Sequence, residues 1–290
     1  MKIVSVVEEM KHISRSIHDK NKSIGFVPTM GALHDGHLSL IKEAVKFNDY
    51  VVVSIFINPI QFDKKKDLQA YPTNKLRDHE IAKKIGVSVL FEPTVNEMYP
   101  AGLCTFVDTE GLPLNLCGGA RSGHFRGVST VVVKLFNIVK PEIAYFGEKD
   151  FQQSVIVTRL VKDLDMEVKI AVLPTVRAND GLALSSRNMR LNGVERSDAL
   201  CLFEAIKNTK MLVESGVTDA ASIKKSCLRI INVKKSVKKV DYVSVVNRDT
   251  LLDVPYVDES ALLAMAIWVG ETRLIDNCSF EECFVKGKTI

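Results

Sequence analysis

The chain has 290 residues, 46 % hydrophobic and 26 % charged, with 39 Lys and Arg against 35 Asp and Glu. The apolar share excludes disorder, and 16 Gly with 9 Pro exclude a collagen-like or linker-like chain. The length lies near the roughly 250–300 residues at which a single core divides, which predicts one large domain with a smaller companion.

The net charge of +4 singles out no partner. The basic runs Lys64–Lys66 and Lys234, Lys235, Lys238 and Lys239 read as solvated faces, so neither nucleic acid nor membrane is expected as a partner. No stretch approaches the ~18 apolar residues of a membrane helix, and the N-terminus carries no signal-peptide pattern. Cys104, Cys117, Cys201, Cys227, Cys278 and Cys283 show no C-x-x-C spacing, as expected of reduced thiols in a cytoplasmic protein.

In chain order, Ile24–Val27 is a short apolar run stopped by Pro28 and predicts a buried strand. From Leu38 the period lengthens: Leu38, Ile41 and Val45 fall on one line beside Leu40, Ala44 and Phe47, predicting an amphipathic helix of about three turns. Tyr50–Ile57 is a β-branched strand ended by Asn58-Pro59. Helix is expected over 74–85, strand over Val87–Phe91, apolar helix over 127–139, and a short strand at Ala144–Phe146. A helix from about Phe151 and a strand over Val168–Leu173 complete the series. Alternation of apolar strands with helices predicts a doubly wound parallel α/β sheet, Rossmann-like and covered on both faces. Beyond about Arg187 the pattern changes to a lysine-rich helical region over 194–231, then strands at Val240–Val246, Ala261–Val269 and Arg273–Ile275. This predicts a smaller α+β C-terminal domain, with residues 1–180 forming the first domain and 181–290 the second, and the boundary between 175 and 190.

Pro28-Thr29-Met30-Gly31-Ala32-Leu33-His34-Asp35-Gly36-His37 links the first predicted strand to its helix, the place where doubly wound sheets bind ligands. A helix N-terminus offers unpaired N–H groups and partial positive charge, and Gly31 and Gly36 let a phosphate approach the backbone. His34 and His37, three residues apart, share one face, where two imidazole donors suit charge developing at an α-phosphate. H-x-G-H in this setting resembles the signature of the nucleotidyltransferase and class I aminoacyl-tRNA-synthetase-like superfamily, which implies a Rossmann-like fold of that type.

Four further segments accompany it: Ser54–Phe62 (SIFINPIQF), Gly123–Val128 (GHFRGV), Phe146–Gln153 (FGEKDFQQ) and Asp180–Asn188 (DGLALSSRN). Together with Pro28–His37, and with Gly270–Asn277 (GETRLIDN) near the end, they resemble the pantothenate synthetase (pantoate–β-alanine ligase) family over nearly the whole chain. The resemblance implies an ATP-dependent ligase that adenylates pantoate, releases pyrophosphate, and passes the pantoyl group to β-alanine with release of AMP. It also implies a homodimer and Mg2+ accompanying the ATP phosphates.

Carried over residue by residue, the resemblance makes Met30, Gly31, Ala32, Leu33, His34, Asp35, Gly36 and His37 the ATP-contacting stretch, with His37 a proton donor and His34 its partner on the phosphates. Gly147, Glu148, Lys149 and Asp150 form a second ATP segment, in which Lys149 is a catalytic cation. Leu184, Ser185, Ser186 and Arg187 form a mobile phosphate loop, and the Val176 backbone meets adenine. Gln61 and Gln153 would hold pantoate, Gln61 also β-alanine, with Asn58 and Arg121 beside them; His124 reads as structural. Amides that both donate and accept suit a substrate with two hydroxyls and a carboxylate, and arginine's planar fork suits phosphate oxygens. Three positions depart from the family pattern: Thr73 stands where Arg is usual, Ser122 where Pro is usual, and Asp35 where Glu is usual.

Another adenylyl- or cytidylyltransferase would share H-x-G-H but has no need of Asn58, Gln61 and Gln153. A nucleic-acid module built on Lys234–Lys239 would need stacking aromatics, and the chain has a single Trp and 7 % aromatic residues. Because an acyl adenylate hydrolyses readily, the smaller domain is expected to act as a lid that excludes water.

Overall fold

The structure is a computed structural model in which residues 1–63 and 65–285 are described. Lys64, in the first basic run, lies outside the described residues. The chain divides into two compact units. Met1–Glu110, Arg121–Glu148 and Ile156–Val176 form the first; Gly111–Ala120, Lys149–Val155 and Arg177–Ile290 form the second.

The first unit is built on a six-stranded sheet of β1 (Lys2–Val4), β2 (Ile24–Thr29), β3 (Tyr50–Ile55), β4 (Val89–Phe91), β5 (Ile143–Gly147) and β6 (Lys169–Leu173), in the order β1-β4-β3-β2-β5-β6. Every pairing is parallel. The period of two along each strand sorts its residues between two covered faces. Val27, Val51, Val53, Leu90 and Tyr145 join Leu40, Ile41 and Ala44 of helix Asp35–Phe47 in one core. On Phe26 the ring of Phe136, from helix His124–Val139, packs edge-on, and Phe136 in turn meets Phe146 of β5.

From β2 the chain proceeds outward through β3 on one side and resumes at β5 on the other. The strand order therefore reverses at the carboxyl end of β2, where an open α/β sheet leaves a crevice for a ligand. The loop carrying H-x-G-H leaves β2 at that point.

Several boundaries differ from expectation. β2 does not stop at Pro28 but continues to Thr29, paired with β3 at Pro28↔Ser54. Its pairing with β5 ends at Phe26↔Ala144, so a residue without an N–H costs no bond on that side. Helix Asp35–Phe47 begins three residues before Leu38 because the His34 side chain caps it. Neither β1 nor helix Val7–His18 was expected from the sequence.

The second unit holds an antiparallel sheet, β7 (Val237–Asn247), β8 (Ala261–Val269) and β9 (Thr272–Ser279), in that order. The lysine-rich stretch forms three helices, Gly193–Ala199, Cys201–Glu214 and Ala220–Asn232. Their apolar faces place Leu202, Ile206, Ile223 and Ile231 against Leu263, Met265 and Ile267 of β8. Among the described residues, no helix is long and apolar enough to cross a membrane.

Candidate active site

In the first unit, the loop after β2 is held almost entirely by side chains on its own backbone. Thr29 Oγ1 donates to the Ser54 carbonyl at 2.7 Å and accepts the Gly31 N–H at 3.1 Å. Gly31 and Ala32 both take left-handed conformations (φ 84° and 52°), and a Cβ on Gly31 would lie 3.0 Å from Ile55 Cγ2. This turn aims the next two N–H groups at Asp78, which is 2 % exposed on helix Lys75–Lys84. Its Oδ2 and Oδ1 accept the N–H groups of Ala32 and Leu33, each at 2.8 Å. Successive N–H groups in such a turn form an anion-binding concavity, and here a carboxylate of the chain itself fills it.

His34 is the N-cap of the following helix, and its Nδ1 accepts the Gly36 N–H at 3.2 Å. His37 Nδ1 accepts the His34 N–H at 3.4 Å, and the two rings lie 4.0 Å apart, tilted by 34°. A neutral imidazole whose Nδ1 is an acceptor carries its proton on Nε2. Both rings therefore have the same tautomer, with the donor on the side away from the backbone. The helix start is less open than the sequence suggests. The N–H groups of Gly31, Ala32, Leu33, His34 and Gly36 have acceptors within the protein.

Beyond β3, the turn Pro59–Gln61 presents the second group. Asn58, 1 % exposed, donates through Nδ2 to Gln61 Oε1 (2.9 Å) and to the Gly127 carbonyl (3.0 Å), while its Oδ1 accepts the Tyr99 hydroxyl at 2.8 Å. Burial raises the Tyr99 pKa, which keeps that hydroxyl a donor. Both Asn58 amide hydrogens are thus used within the protein, one of them on Gln61, whose Nε2 lies 3.4 Å from Met30 Sδ. Helix His124–Val139 approaches this turn so closely that a Cβ at Gly127 would sit 2.6 Å from the Ile60 carbonyl oxygen; the glycine of Gly123–Val128 serves that approach.

Arg121 donates through Nε to Asp63 (3.0 Å), through Nη2 to the Gln61 carbonyl (3.2 Å) and through Nη1 to His124 Nε2 (3.2 Å). The last bond puts the His124 proton on Nδ1, which donates to the same Gln61 carbonyl at 2.7 Å. The structural reading of His124 follows from this geometry. Gly147 ends β5, Glu148 follows it, and Val176 lies three residues past the end of β6.

In the second unit, Lys149 and Asp150 belong to a 3-10 turn leading into helix Phe151–Asp163, with Lys149 Nζ 3.9 Å from Asp150 Oδ2. Gln152 is buried, holding the Cys117 N–H and the Leu112 and Asn115 carbonyls; its neighbour Gln153 is half-buried on a different side of the helix. Leu184 leads into Ser185, which caps a 3-10 turn over Ser186–Arg190 by accepting the Arg187 N–H at 3.2 Å. Asn188 Nδ2 ties that turn back to the Ala183 carbonyl at 3.0 Å. Among the described residues, no group of three or more His, Cys, Asp or Glu side chains could hold a metal ion.

Sequence reasoning missed Asp78. The arrangement Asn74-x-x-Arg77-Asp78 reads only as a helix start, because the partners of this carboxylate lie 46 and 45 residues away in the chain.

Residues 2–279 match the family model described as pantoate-beta-alanine ligase. A protein named pantothenate synthetase from Thermotoga petrophila is 48 % identical over 277 residues, covering 96 % of this chain and 99 % of that protein. A crystal structure of pantothenate synthetase from Thermus thermophilus superposes with a TM-score of 0.91 at 40 % identity, covering 97 % of this chain and 99 % of that one. That of pantoate-beta-alanine ligase from Francisella tularensis, complexed with beta-gamma ATP and beta-alanine, gives a TM-score of 0.83 at 37 % identity, covering 97 % and 98 %.

Proposed function

The chain belongs to the pantoate–β-alanine ligase family, and from that premise we propose how its own residues carry out an ATP-dependent condensation of pantoate with β-alanine. A pantoate carboxylate oxygen attacks the α-phosphorus of ATP; the new P–O bond forms as the α–β bridging bond breaks and pyrophosphate leaves. The β-alanine amine then attacks the pantoyl carbonyl. The C–N bond forms, the acyl–oxygen bond to AMP breaks, and the amine loses a proton.

The observation that carries this reading is the stacked His34–His37 pair at the point where the strand order reverses, each ring fixed with its proton on Nε2. Two preorganised donors of this kind act on charge as it develops at the phosphate. His37 supplies the proton-donating contact in this reading and His34 supports it. Met30–His37, Gly147–Asp150 and Leu184–Arg187 bind ATP, with Lys149 and Arg187 as its cations, Lys149 catalytic, and the Val176 backbone beside adenine. Gln61 and Gln153 hold pantoate, and Gln61 also meets β-alanine. Asn58 orients Gln61, and Arg121 lies beside the substrate carboxylate.

Mg2+ enters as part of the substrate. It usually keeps several waters and binds through phosphates and one or two carboxylates, and the half-exposed Asp150 suits an outer contact to it. A homodimer of the 32.2 kDa chain in the cytoplasm completes the proposal. The direct test is AMP formation from ATP that requires pantoate and β-alanine together. ATP turnover without AMP, or AMP release indifferent to β-alanine, overturns it.

A further inference from the structure

The segment Gly270–Asn277 resembles a family motif, yet no step above uses it. The structure places its last two residues, in the second half of β9, within the interior of the second unit. Asp276 is 3 % exposed and Asn277 6 % exposed. Asp276 accepts both arms of Arg177, Nη1 at 2.6 Å and Nη2 at 2.9 Å, and its Oδ1 also accepts the Asn277 N–H at 2.9 Å. Arg177 Nη1 continues to the Gly181 carbonyl at 3.1 Å. That carbonyl belongs to a turn closed by Ala178 N–H to Leu182 O and by an Arg177↔Ala183 bridge. Ala183 in turn accepts Asn188 Nδ2 from the turn that carries Arg187. On the other side, Asn277 Nδ2 donates to the carbonyl of Lys149 at 2.9 Å, spanning 128 residues of sequence.

We propose that Asp276 and Asn277 are positioning residues for the adenylation step, joining Lys149 and the 184–187 loop in one rigid frame. One buried carboxylate fixes the base of the loop through Arg177, and the adjacent amide fixes the Lys149 backbone. Bidentate guanidinium–carboxylate geometry restrains orientation as well as distance. A lysine ammonium is a point charge on a flexible four-carbon stem, so a held backbone narrows the region it can reach. The inference rests on Lys149 being a phosphate cation in the proposed reaction, and it adds the groups through which that cation is placed. Because Asn277 reaches Lys149 through the backbone carbonyl, no substitution at Lys149 removes the bond, which permits a clean double-mutant cycle.

The experiment measures pyrophosphate release from ATP and pantoate in single turnover, without β-alanine, for Asn277→Ala, Lys149→Ala and the double variant; melting curves verify folding. Asn277→Asp, of equal size but with an acceptor facing the Lys149 carbonyl, serves in the same cycle should the alanine variant not fold. Since small misplacements of catalytic groups can cost up to ~10²-fold, Asn277→Ala is expected to slow adenylation about 10-fold, with the pantoate KM unchanged. In the Lys149→Ala background the same change is expected to cost less than about twofold, the non-additivity of residues that act through one another. Full-rate adenylation by the Asn277 variants, or losses that multiply, would overturn the inference and leave the proposed reaction standing. Full-rate adenylation by Lys149→Ala itself would overturn the role given to Lys149, and this inference with it.

Discussion

Asp78→Asn is the most informative single change in the first unit. The variant keeps the shape of the side chain and alters only what it presents to two N–H groups. In the structure both carboxylate oxygens accept, each at 2.8 Å, from Ala32 and Leu33 inside a site that is 2 % exposed. The amide oxygen can retain one of these bonds, while the NH2 group confronts the other N–H as a second donor. A hydrogen bond to a charged group contributes ~1.5–3 kcal/mol, and an unsatisfied buried donor costs ~1–3 kcal/mol. These overlap in the same N–H, so the expected loss is roughly 2–4 kcal/mol. At about 2–4 °C per kcal/mol for a unit of this size, Tm falls by roughly 4–16 °C. His34 follows Leu33 directly, so a loosened turn also displaces the imidazole pair, and adenylation is expected to slow at least ~10-fold. Calorimetry and single-turnover pyrophosphate release measure the two effects separately. An Asp78→Asn protein that melts within a degree or so of the parent and adenylates at an unchanged rate would refute the clamp.

The imidazole pair separates cap from chemistry: His34→Ala and His37→Ala should each lower kcat by ~10²–10³, whereas His34→Asn, an amide able to cap the helix, should restore Tm without restoring rate. Wild-type turnover in all three variants would remove the histidines from the mechanism. Asp49 accepts the Ser23 N–H, the Lys22 ammonium and the Ser23 hydroxyl, which lower its pKa from 3.8 to about 2. A depressed folded-state pKa means that this contribution to stability is complete above 3.8 and is lost as the pH falls through about 2. Acid unfolding curves of Asp49→Asn should therefore be flatter over that window, and identical curves would count against the contribution. Burial pushes the Cys201 thiol up to about 12 and raises those of Cys227 and Cys278, while Cys104 is exposed. A thiol reagent at neutral pH should label Cys104 in the folded protein and the buried Cys117, Cys201, Cys227 and Cys278 only after denaturation; labelling of Cys278 at the rate of Cys104 would contradict the packing.

Legibility in the sequence followed the kind of contact each residue makes. β2, β3 and helix Asp35–Phe47 were readable because burial of whole faces imposes a period. β1 was not readable: its three residues follow the pattern exposed, exposed, buried, too short to show one. Helix Val7–His18 buries Met10, Ser14 and Ile17, a helical spacing whose middle member is polar, so an apolar search passes over it. His34, His37, Gln61 and Lys149 could be named as candidates because chemistry directed at a ligand demands particular residue types at particular distances from a strand end. Asp78, Tyr99 and Asn277 face the protein instead. Each meets a backbone group or an amide brought close only by the fold, and nothing in the local sequence distinguishes a carboxylate that binds two N–H groups from one that faces solvent. The same distinction accounts for the occupied N–H groups after β2. Glycines near a helix start are compatible both with N–H groups left open for a phosphate and with N–H groups already bound by side chains. Only the folded positions of Thr29, Asp78, His34 and His37 decide between them, and they show the second arrangement.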